Sequence, residues 1–311
     1  MAHVLVTGGT GFVGRELIAQ LAQRGDNITC LSRSQPPNSA KWIEGDFVQA
    51  NQLESLTEGL DIDVIYHVAS LANDTGNPQE MIQVNVTGIT NMLELARRRE
   101  VQRFVLSSSV SAYEWYPATK FRSPLEMPVT EDHPCRPQDM YSSTKRMQEI
   151  LADTFYRQYG VPTTVLRVTA VVGPDGRGGG KMWREFAEQM KAGGRIQLPM
   201  LAPDEKSHFV DLRDVAQMHI VAAEHPNAVG EVFNCCATRA TRGSEFAEMV
   251  EQLVPGCDAA FGFPWSMAQG AEIEFSMEKI KSLLDFEPQY TLRDALQNIH
   301  DWVEAGGLES T

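Results

Sequence analysis

Several features that define other classes of protein are missing from this chain of 311 residues. No apolar run reaches the roughly 18 residues needed to cross a membrane. The first residues lead directly into a predicted strand, without the charged and apolar segments of a signal peptide. We therefore expect a protein that neither spans a membrane nor carries an export signal.

Cysteine is also scarce: the chain has five, and no two of them form a C-x-x-C pair. This argues against a zinc ribbon or a thioredoxin-like redox motif, and no metal-ligand spacing appears elsewhere. Cys235 and Cys236 fall in a predicted strand, where buried, reduced thiols are the expected state. Reduced thiols are typical of a cytoplasmic protein.

Basic residues are outnumbered, with 27 Lys and Arg against 41 Asp and Glu, which gives a formal net charge of −14. Binding to nucleic acid needs clustered positive charge, so this composition disfavours such a partner. A local basic pocket for a phosphorylated small molecule is still compatible with it. We expect a small-molecule substrate.

The first half of the chain does contain a regular alternation of short apolar runs with segments of helical periodicity. The predicted strands cover residues 3–7, 27–31, 64–67, 103–106 and 163–167. The predicted helices cover residues 12–24, 80–100 and 140–159. Alternating strands and helices predict βαβ units, and therefore an α/β fold with a Rossmann-type, doubly wound parallel sheet.

A segment rich in glycine and proline, residues 173–180, breaks this alternation. Helical patterns follow at residues 181–192, 211–224, 244–254, 277–284 and 292–303. We predict a Rossmann domain in residues 1–172 and a smaller C-terminal substrate lobe in residues 173–311. The strand near residues 231–236 is a candidate to rejoin the first sheet.

The first predicted strand is followed at once by a glycine-rich turn and the start of a helix. Gly9, Gly11 and Gly14 fit the G-x-G-x-x-G spacing, and Gly8, Gly11 and Gly14 fit a variant with spacings of three and three. Glycines let the backbone approach a pyrophosphate closely, while the N-terminus of the following helix attracts that anion. The position straight after a strand therefore favours a dinucleotide site over a glycine-rich turn without a ligand.

The end of the second predicted strand bears on which dinucleotide binds. An Asp or Glu here binds the ribose 2′-hydroxyl of NAD, but this chain has Ser32, Arg33 and Ser34. Arg33 can pair with a 2′-phosphate, so we favour NADP over NAD, and a solvated Arg33 is the alternative. After a third strand, Asp46 and the adjacent Phe47 are placed to meet the adenine, or Asp46 caps a helix.

Tyr141 and Lys145 are four residues apart on a predicted helix and therefore share one face. A tyrosine that acts as an acid or base near neutral pH needs a lowered pKa, and a nearby ammonium group lowers it. A Y-x-x-x-K pair alone is more often a surface pair, so its weight comes from its order among the other motifs. Upstream, residues 107–109 are three serines at the carboxyl end of a predicted strand, where a hydroxyl could hold a substrate oxygen.

Taken in this order, the motifs resemble those of the extended short-chain dehydrogenase/reductase family, also called the NAD-dependent epimerase/dehydratase family. They include TGGTGFVG at residues 7–14, VIYHVA at 64–69, NVTG at 85–88, SSSVSAY at 107–113 and VGP at 172–174. The resemblance covers nearly the whole chain. It implies that Ala69 flanks the cofactor, that Asn85 supports the active-site strand and that Ser109 is the catalytic hydroxyl. The cofactor-binding residues expected on all these grounds are Gly8, Thr10, Gly11, Phe12, Val13, Gly14, Ser32, Arg33, Asp46, Phe47, Ala69, Asn85 and Lys145.

The resemblance implies hydride transfer between the nicotinamide and a carbonyl or secondary alcohol. Tyr141 would give or take the proton on the reacting oxygen, Ser109 would hydrogen-bond that oxygen, and Lys145 would tune Tyr141 and bind the ribose. It implies no metal. Relatives commonly dimerise through the helices predicted here at residues 80–100 and 140–159, so we expect a homodimer.

Two departures from the family bear on the reaction. A 4,6-dehydratase has an Asp-Glu pair after the catalytic hydroxyl, but Val110 and Ser111 stand here. Nucleotide-sugar epimerases clamp the diphosphate with arginines, but the matching positions have Ser207 and, in residues 263–272, no arginine. We therefore expect an NAD(P)-dependent reductase or dehydrogenase. A nucleotide-sugar epimerase and a non-catalytic NADP-binding regulatory protein are the alternatives, and a dehydratase is disfavoured.

The substrate stays open at this stage. Arg184, Lys206 or Arg239 could supply positive charge from positions that the sequence does not place. Aromatic residues that could line an apolar substrate pocket, or pack on the body of the protein, are Trp115, Tyr116, Phe121, Phe263 and Trp265. His67 and His208 lie in apolar stretches, and we expect both to be structural.

Overall fold

The computed structural model of the chain describes residues 1–36, 40–72, 77–113, 124, 126–176, 180–262 and 273–309. Its strands are β1 (His3–Thr7), β2 (Asn27–Ser32), β3 (Lys41–Glu44), β4 (Val64–His67), β5 (Arg103–Ser109), β6 (Thr163–Val168), β7 (Ala170–Val172), β8 (Arg195–Gln197), β9 (Lys206–Ser207), β10 (Phe209–Asp211), β11 (Val232–Cys235), β12 (Thr241–Arg242) and β13 (Asp258–Ala260). Its α-helices are α1 (Phe12–Gln23), α2 (Ala50–Leu56), α3 (Pro78–Met81), α4 (Gly88–Arg98), α5 (Met140–Tyr159), α6 (Lys181–Ala192), α7 (Leu212–Glu224), α8 (Gly243–Leu253), α9 (Glu278–Leu284) and α10 (Leu292–Glu304).

Seven strands form one sheet in the order β11-β6-β5-β4-β1-β2-β3, and every neighbouring pair is parallel. The chain runs outward from β1 through β2 and β3, then returns to β4 and continues in the other direction. The loops after β1 and β4 therefore part and leave a crevice at the carboxyl edge, where ligands bind in such sheets. The doubly wound parallel sheet expected from the sequence is confirmed.

β11 pairs with β6, so the candidate strand near residues 231–236 does rejoin the main sheet. α7 packs against α1, and Ile280 and Leu284 of α9 join the same apolar core. Segments beyond residue 172 thus contribute to the main sheet and to one of the helical layers that cover it. A domain boundary at residue 172 stays a prediction.

Each face of the sheet carries its own apolar core, because successive side chains of a strand point to opposite faces. In β1, Val4 and Val6 join the core under α1, α7 and α9, whereas Leu5 joins the core under α2, α4 and α5. All three side chains are buried. Burial of a side chain of this size contributes about 1.5–3 kcal/mol, so the apolar run of β1 is stable between two layers of helices.

A third apolar core lies outside the main sheet and joins α6, α8 and α10. Trp183 and Phe186 of α6 pack edge to face, and Phe186 packs in the same way on Phe246 of α8. The short parallel pairs β7–β10 and β8–β13 border this core. This part of the chain forms the smaller lobe expected beside the sheet.

Two helical regions differ from the sequence prediction. The helix predicted at residues 80–100 begins at Pro78, after the N-cap Asn77, and contains a π-helical stretch, Ile82–Thr87, between α3 and α4. No pattern predicted α2, because Leu53 is its one buried residue and gives no apolar periodicity. Within the described ranges, no helix combines the length and apolar character needed to cross a bilayer.

Candidate active site

A groove of about 390 Å³ lies at the carboxyl edge of the sheet. Its wall includes residues at the carboxyl ends of strands β1 to β6 or in the segments that follow them, so it occupies the crevice where the strand order reverses. The predicted site residues on this wall are Gly8, Thr10, Gly11, Phe12, Val13, Gly14, Ser32, Arg33, Asp46, Phe47, Ala69, Ser109, Tyr141 and Lys145.

The glycine turn forms one end of the groove, and its glycines bring the backbone close to the groove. A Cβ on Gly14 would lie 2.1 Å from the backbone oxygen of Gly8, and one on Gly8 would lie 2.6 Å from the backbone nitrogen of Ala69. Gly8 also has a φ of +78°, which favours glycine. Gly11 is the N-cap of α1, and no side chain caps this helix end. The open N–H groups and the lack of side chains at these glycines fit the pyrophosphate of a dinucleotide.

The segments after β2 and β3 form the end expected to hold the adenosine. Arg33 is exposed, and the hydroxyl of Ser32 donates a 2.7 Å hydrogen bond to the backbone two residues further on. Asp46 accepts a 3.0 Å hydrogen bond from the backbone nitrogen of Val48, ahead of α2. Asp46 therefore caps a turn rather than a helix while it lines the groove. Its contact with an adenine stays a prediction.

α5 and the end of β5 bring the three predicted catalytic residues to one wall of the groove. The ammonium group of Lys145 donates a 2.9 Å hydrogen bond to the backbone oxygen of Ser107 and lies 5.9 Å from the centre of the Tyr141 ring. The hydroxyl of Ser109 accepts a 3.2 Å hydrogen bond from the backbone nitrogen of Ser111. This wall can therefore present a phenol, an ammonium group and a hydroxyl to a bound molecule.

The electrostatics of the site centre on Lys145, which is 4% exposed. Burial lowers the pKa of Lys145 to about 8, although the carboxylate of Glu149 raises it in part. Lys145 is therefore mostly protonated at neutral pH, and its charge favours the phenolate form of Tyr141. Together these groups can move a proton to or from an oxygen atom held beside them.

His67 and His208 have structural roles, as expected from the sequence. His67 forms a 2.9 Å hydrogen bond with Thr7, and burial, together with the charge of Lys145, lowers its pKa to about 3. His208 bridges the backbone oxygen of Ala237 and the backbone nitrogen of Phe275. Both rings are buried within the protein and lie off the groove wall.

Asn85 is the predicted site residue that does not lie on the groove wall. Its buried side chain accepts a 2.8 Å hydrogen bond from the backbone nitrogen of Leu71 and donates one of 2.9 Å to Thr144, next to Lys145 on α5. Its contact with the cofactor and its support of the active-site strand stay predictions. Asn85 ties the segment after β4 to α5 through these hydrogen bonds.

The cations that could reach a substrate have other partners. Lys206 forms a 2.8 Å ion pair with Glu274, and Arg239 forms one of 2.7 Å with Glu245. Arg184 donates a hydrogen bond to a backbone oxygen near the C-terminus. In the described part of the chain, none of the three lines the groove. Residues 263–272 and the aromatic residues Trp115, Tyr116, Phe121, Phe263 and Trp265 lie outside the described residues.

Sequence reasoning missed several parts of the groove wall, among them the segment after β6 and the start of α6. Thr169 and Val171 follow β6, and Met182 and Trp183 lie in the first turn of α6. The first two could have been inferred, because the carboxyl ends of all parallel strands meet at one edge. Trp183 gave no such signal, since its place depends on how α6 packs beside the sheet.

The sequence pattern of the NAD dependent epimerase/dehydratase family matches residues 4–236 of this chain. The matched stretch includes the glycine turn, Ser109, Tyr141 and Lys145. The chain belongs to this family, and the resemblance drawn from its motifs is confirmed.

Relatives and similar structures span the whole chain. The UDP-glucose 4-epimerase of Corynebacterium glutamicum is 27% identical over 337 residues, which cover 99% of this chain and 97% of that protein. The UDP-glucose 4-epimerase of Thermotoga maritima, solved with UDP-glucose, has a TM-score of 0.84 at 22% identity and covers 97% and 99% of the two chains. A short-chain dehydrogenase/reductase superfamily protein from Agrobacterium tumefaciens, solved with bound NAD, has a TM-score of 0.79 at 23% identity and covers 99% and 98%. The structural likenesses establish the shared fold.

Proposed function

We propose that this chain is an NAD(P)-dependent epimerase that inverts a secondary alcohol carbon of a nucleotide-linked sugar. The observation that carries the proposal is the convergence of Ser109, Tyr141 and Lys145 on the groove that begins at the glycine turn. The full-length relative named UDP-glucose 4-epimerase supports the substrate class. The proposal replaces the net reductase or dehydrogenase expected from the sequence.

Each of the three residues has a separate task in this reaction. A bound nicotinamide supplies the ability to take a hydride from the substrate carbon and return it to the opposite face. Tyr141 accepts the proton of the substrate hydroxyl when the hydride leaves and gives it back when the hydride returns. Ser109 donates a hydrogen bond to the reacting oxygen, and Lys145 stabilises the ionised form of Tyr141. Over a full cycle no electrons or protons are gained or lost.

A net reductase or dehydrogenase that acts on a less charged carbonyl or secondary alcohol is the second candidate. Ser207 lies two residues before the start of β10, and the neighbouring Lys206 is paired with Glu274. Arg33 and Lys145 are the cationic residues on the described groove wall. A diphosphate needs such partners when it leaves water, so their small number favours an uncharged substrate.

One experiment separates the candidates. The purified protein is incubated with NAD or NADP and UDP-, dTDP- or GDP-sugars, and separately with NADPH and a panel of ketones. Epimerised sugar without a lasting change in nicotinamide absorbance supports the proposal, whereas stoichiometric loss of NADPH with a ketone supports the reductase. Cofactor binding with no turnover in any arm supports the non-catalytic regulatory protein, against which the complete Ser109, Tyr141 and Lys145 set argues.

The choice of cofactor is a separate part of the proposal. Ser32 and the exposed Arg33 end β2 without a carboxylate, an arrangement that can accept a 2′-phosphate. The bound NAD of the Agrobacterium protein supports NAD instead. We propose a preference for NADP with retained binding of NAD, and a comparison of the two affinities decides it.

We further propose a cytoplasmic homodimer that pairs through α4 and α5. Met147 and Ile150 of α5 are 40% and 50% exposed, which is high for apolar side chains and suits a partner surface. All five cysteines are free thiols, which supports a reducing compartment. Light scattering at micromolar concentration should give twice the chain mass of 34.5 kDa, and a monomer contradicts the proposal.

A further inference from the structure

A buried ion pair lies directly behind the catalytic wall and has no role in the reaction described above. Glu149 of α5 and Arg167 of β6 are 2% and 3% exposed. Two guanidinium nitrogens of Arg167 donate to the two oxygens of Glu149, at 3.0 and 2.9 Å. A buried pair costs desolvation and is often replaceable by apolar residues, so its presence beside an active site calls for a reason.

Glu149 also binds the strand that carries the catalytic serine. Its carboxylate accepts a 2.7 Å hydrogen bond from the hydroxyl of Ser108. Ser108 lies between Ser107, whose backbone oxygen binds Lys145, and Ser109. The helix and the strand are therefore joined twice in succession, once through Lys145 and once through Glu149.

The spacing along α5 explains how these two links share a face. Tyr141, Lys145 and Glu149 are each separated by four residues, and such positions stack along one side of a helix. The deepest of the three, Glu149, is held by Arg167, and the most exposed, Tyr141, lines the groove. A rigid anchor at Glu149 thus limits rotation and sliding of the whole face.

Arg167 is itself held from several sides. It lies opposite Ser108 in the β5–β6 register and donates a 3.0 Å hydrogen bond to the backbone oxygen of Glu131. Its guanidinium group lies 4.5 Å from the centre of the buried Tyr113 ring, and Tyr113 donates a 2.6 Å hydrogen bond to Asn234 of β11. The anchor is therefore fixed to three neighbouring strands of the sheet.

We propose that Glu149, locked by Arg167, is a positioning residue that holds the end of β5 and the Tyr141–Lys145 face of α5 in register. The inference rests on the catalytic roles given to Ser109, Tyr141 and Lys145 under the proposed function. It assigns to Glu149 two effects, a mechanical one through Ser108 and an electrostatic one on Lys145.

The electrostatic effect requires an ionised Glu149. Burial alone would raise the pKa of Glu149, but the charge of Arg167 and the hydrogen bonds from Arg167, Ser108 and Arg146 hold it below its usual value. The groups that face Lys145 are Tyr141 and Glu149 on α5, His67 on β4 and His219 on α7. Burial lowers the pKa values of His67 and His219 to about 3 and about 4, so both are neutral. Glu149 is the carboxylate that keeps Lys145 charged.

Substitution of Ser108 tests the mechanical effect. Ser108→Ala removes the hydroxyl that joins Glu149 to β5, and we expect kcat for UDP-glucose epimerisation to fall about tenfold while KM changes less than about twofold. Ser111→Ala is the matched control, since Ser111 is also buried and its hydroxyl makes no hydrogen bond in the described part of the chain. Equal kcat values in the two variants overturn the proposal.

Glu149→Gln tests the electrostatic effect without any need for turnover. The change keeps the shape of the side chain and removes its charge, so the pKa of Lys145 should fall by at least about half a unit. The pKa is read by NMR of protein labelled with ¹³C-lysine, in which the Lys145 signal is the one missing from Lys145→Arg. If the wild-type protein shows no hydride transfer, the proposed function fails, and this titration still decides the role of Glu149.

The single change leaves Arg167 buried without its partner, and the variant is open to misfolding. Glu149→Gln/Arg167→Gln removes both charges. It should give the same lowering of the Lys145 pKa, because Glu149 is the charge that acts on Lys145. An unchanged Lys145 pKa in whichever variant folds overturns the proposal.

Discussion

The two ends of the groove are built from different parts of the chain. The glycine turn is a run of consecutive residues, and a Cβ on Gly8 or Gly14 would meet backbone atoms. The opposite wall is made of side chains from separate segments, such as Thr169 after β6 and Trp183 on α6. A site made of backbone can be read from local sequence, whereas a site made of side chains depends on how distant elements pack.

The largest effect is expected at Tyr141. Loss of its hydroxyl should lower the rate of the reaction without weakening cofactor binding. Tyr141→Phe deletes the hydroxyl that we propose moves the proton, so kcat should fall by about 10²–10⁴-fold. The cofactor Kd should change less than about twofold, because the glycine turn is untouched. Tyr159→Phe, at the far end of the same helix and 49% exposed, is the control and should match the wild type. A large loss of cofactor affinity in Tyr141→Phe contradicts the assigned role.

The parts of the molecule that the sequence predicted well are those fixed by local rules. The strands β1, β2, β4, β5 and β6 follow from apolar runs, and Tyr141 and Lys145 share a face because four residues make slightly more than one helical turn. The turn at Gly8 and Gly14 follows from glycine spacing. None of these depends on the packing of remote segments.

The misses have the opposite character. The hydrogen bond between Asn85 and Thr144 was not foreseen, because it depends on how the π-helical stretch packs against α5. Glu149 and Arg167 are ordinary charged residues in the sequence, and only the adjacency of α5 and β6 makes them a buried pair. Residues such as these become visible only when the fold is known.

A single added methyl group should disrupt cofactor binding at the glycine turn. In Gly14→Ala the new Cβ meets the backbone oxygen of Gly8, which cannot move aside as a side chain would. We expect cofactor affinity to fall about 100-fold, because the turn and the helix end no longer meet the pyrophosphate together. Isothermal titration with NAD and NADP measures the loss.

Gly59→Ala serves as the control for this change. Gly59 also has a positive φ of +71°, but a Cβ there meets no atom within 4 Å. Its substitution should lower the melting temperature slightly through backbone strain and leave cofactor affinity unchanged. If Gly14→Ala binds the cofactor as well as Gly59→Ala does, the glycine turn is not the pyrophosphate site.

The role proposed for Lys145 can be tested through the pH dependence of kcat/KM. Because burial lowers the pKa of Lys145 to about 8, the ammonium group loses its proton as the pH rises through this value. The neutral amine no longer favours the phenolate, so kcat/KM should fall about tenfold per unit well above pH 8. Lys145→Arg carries a charge that does not titrate, and whatever activity it keeps should lack this alkaline limb. A limb that persists in Lys145→Arg belongs to another group.

The smallest effect is expected at Arg33, because recognition of the 2′-phosphate would depend on one exposed side chain. Arg33→Ala should weaken NADP about three- to tenfold and leave NAD within about twofold, since only NADP carries the 2′-phosphate. The effect is modest because solvent and salt screen an exposed charge, and it should shrink further as the ionic strength rises. The affinity for NAD in the same variant is the internal control for folding. A wild-type protein that binds NAD at least as tightly as NADP contradicts the NADP preference, and it shows that the sequence reads the pyrophosphate end of the groove more reliably than the adenosine end.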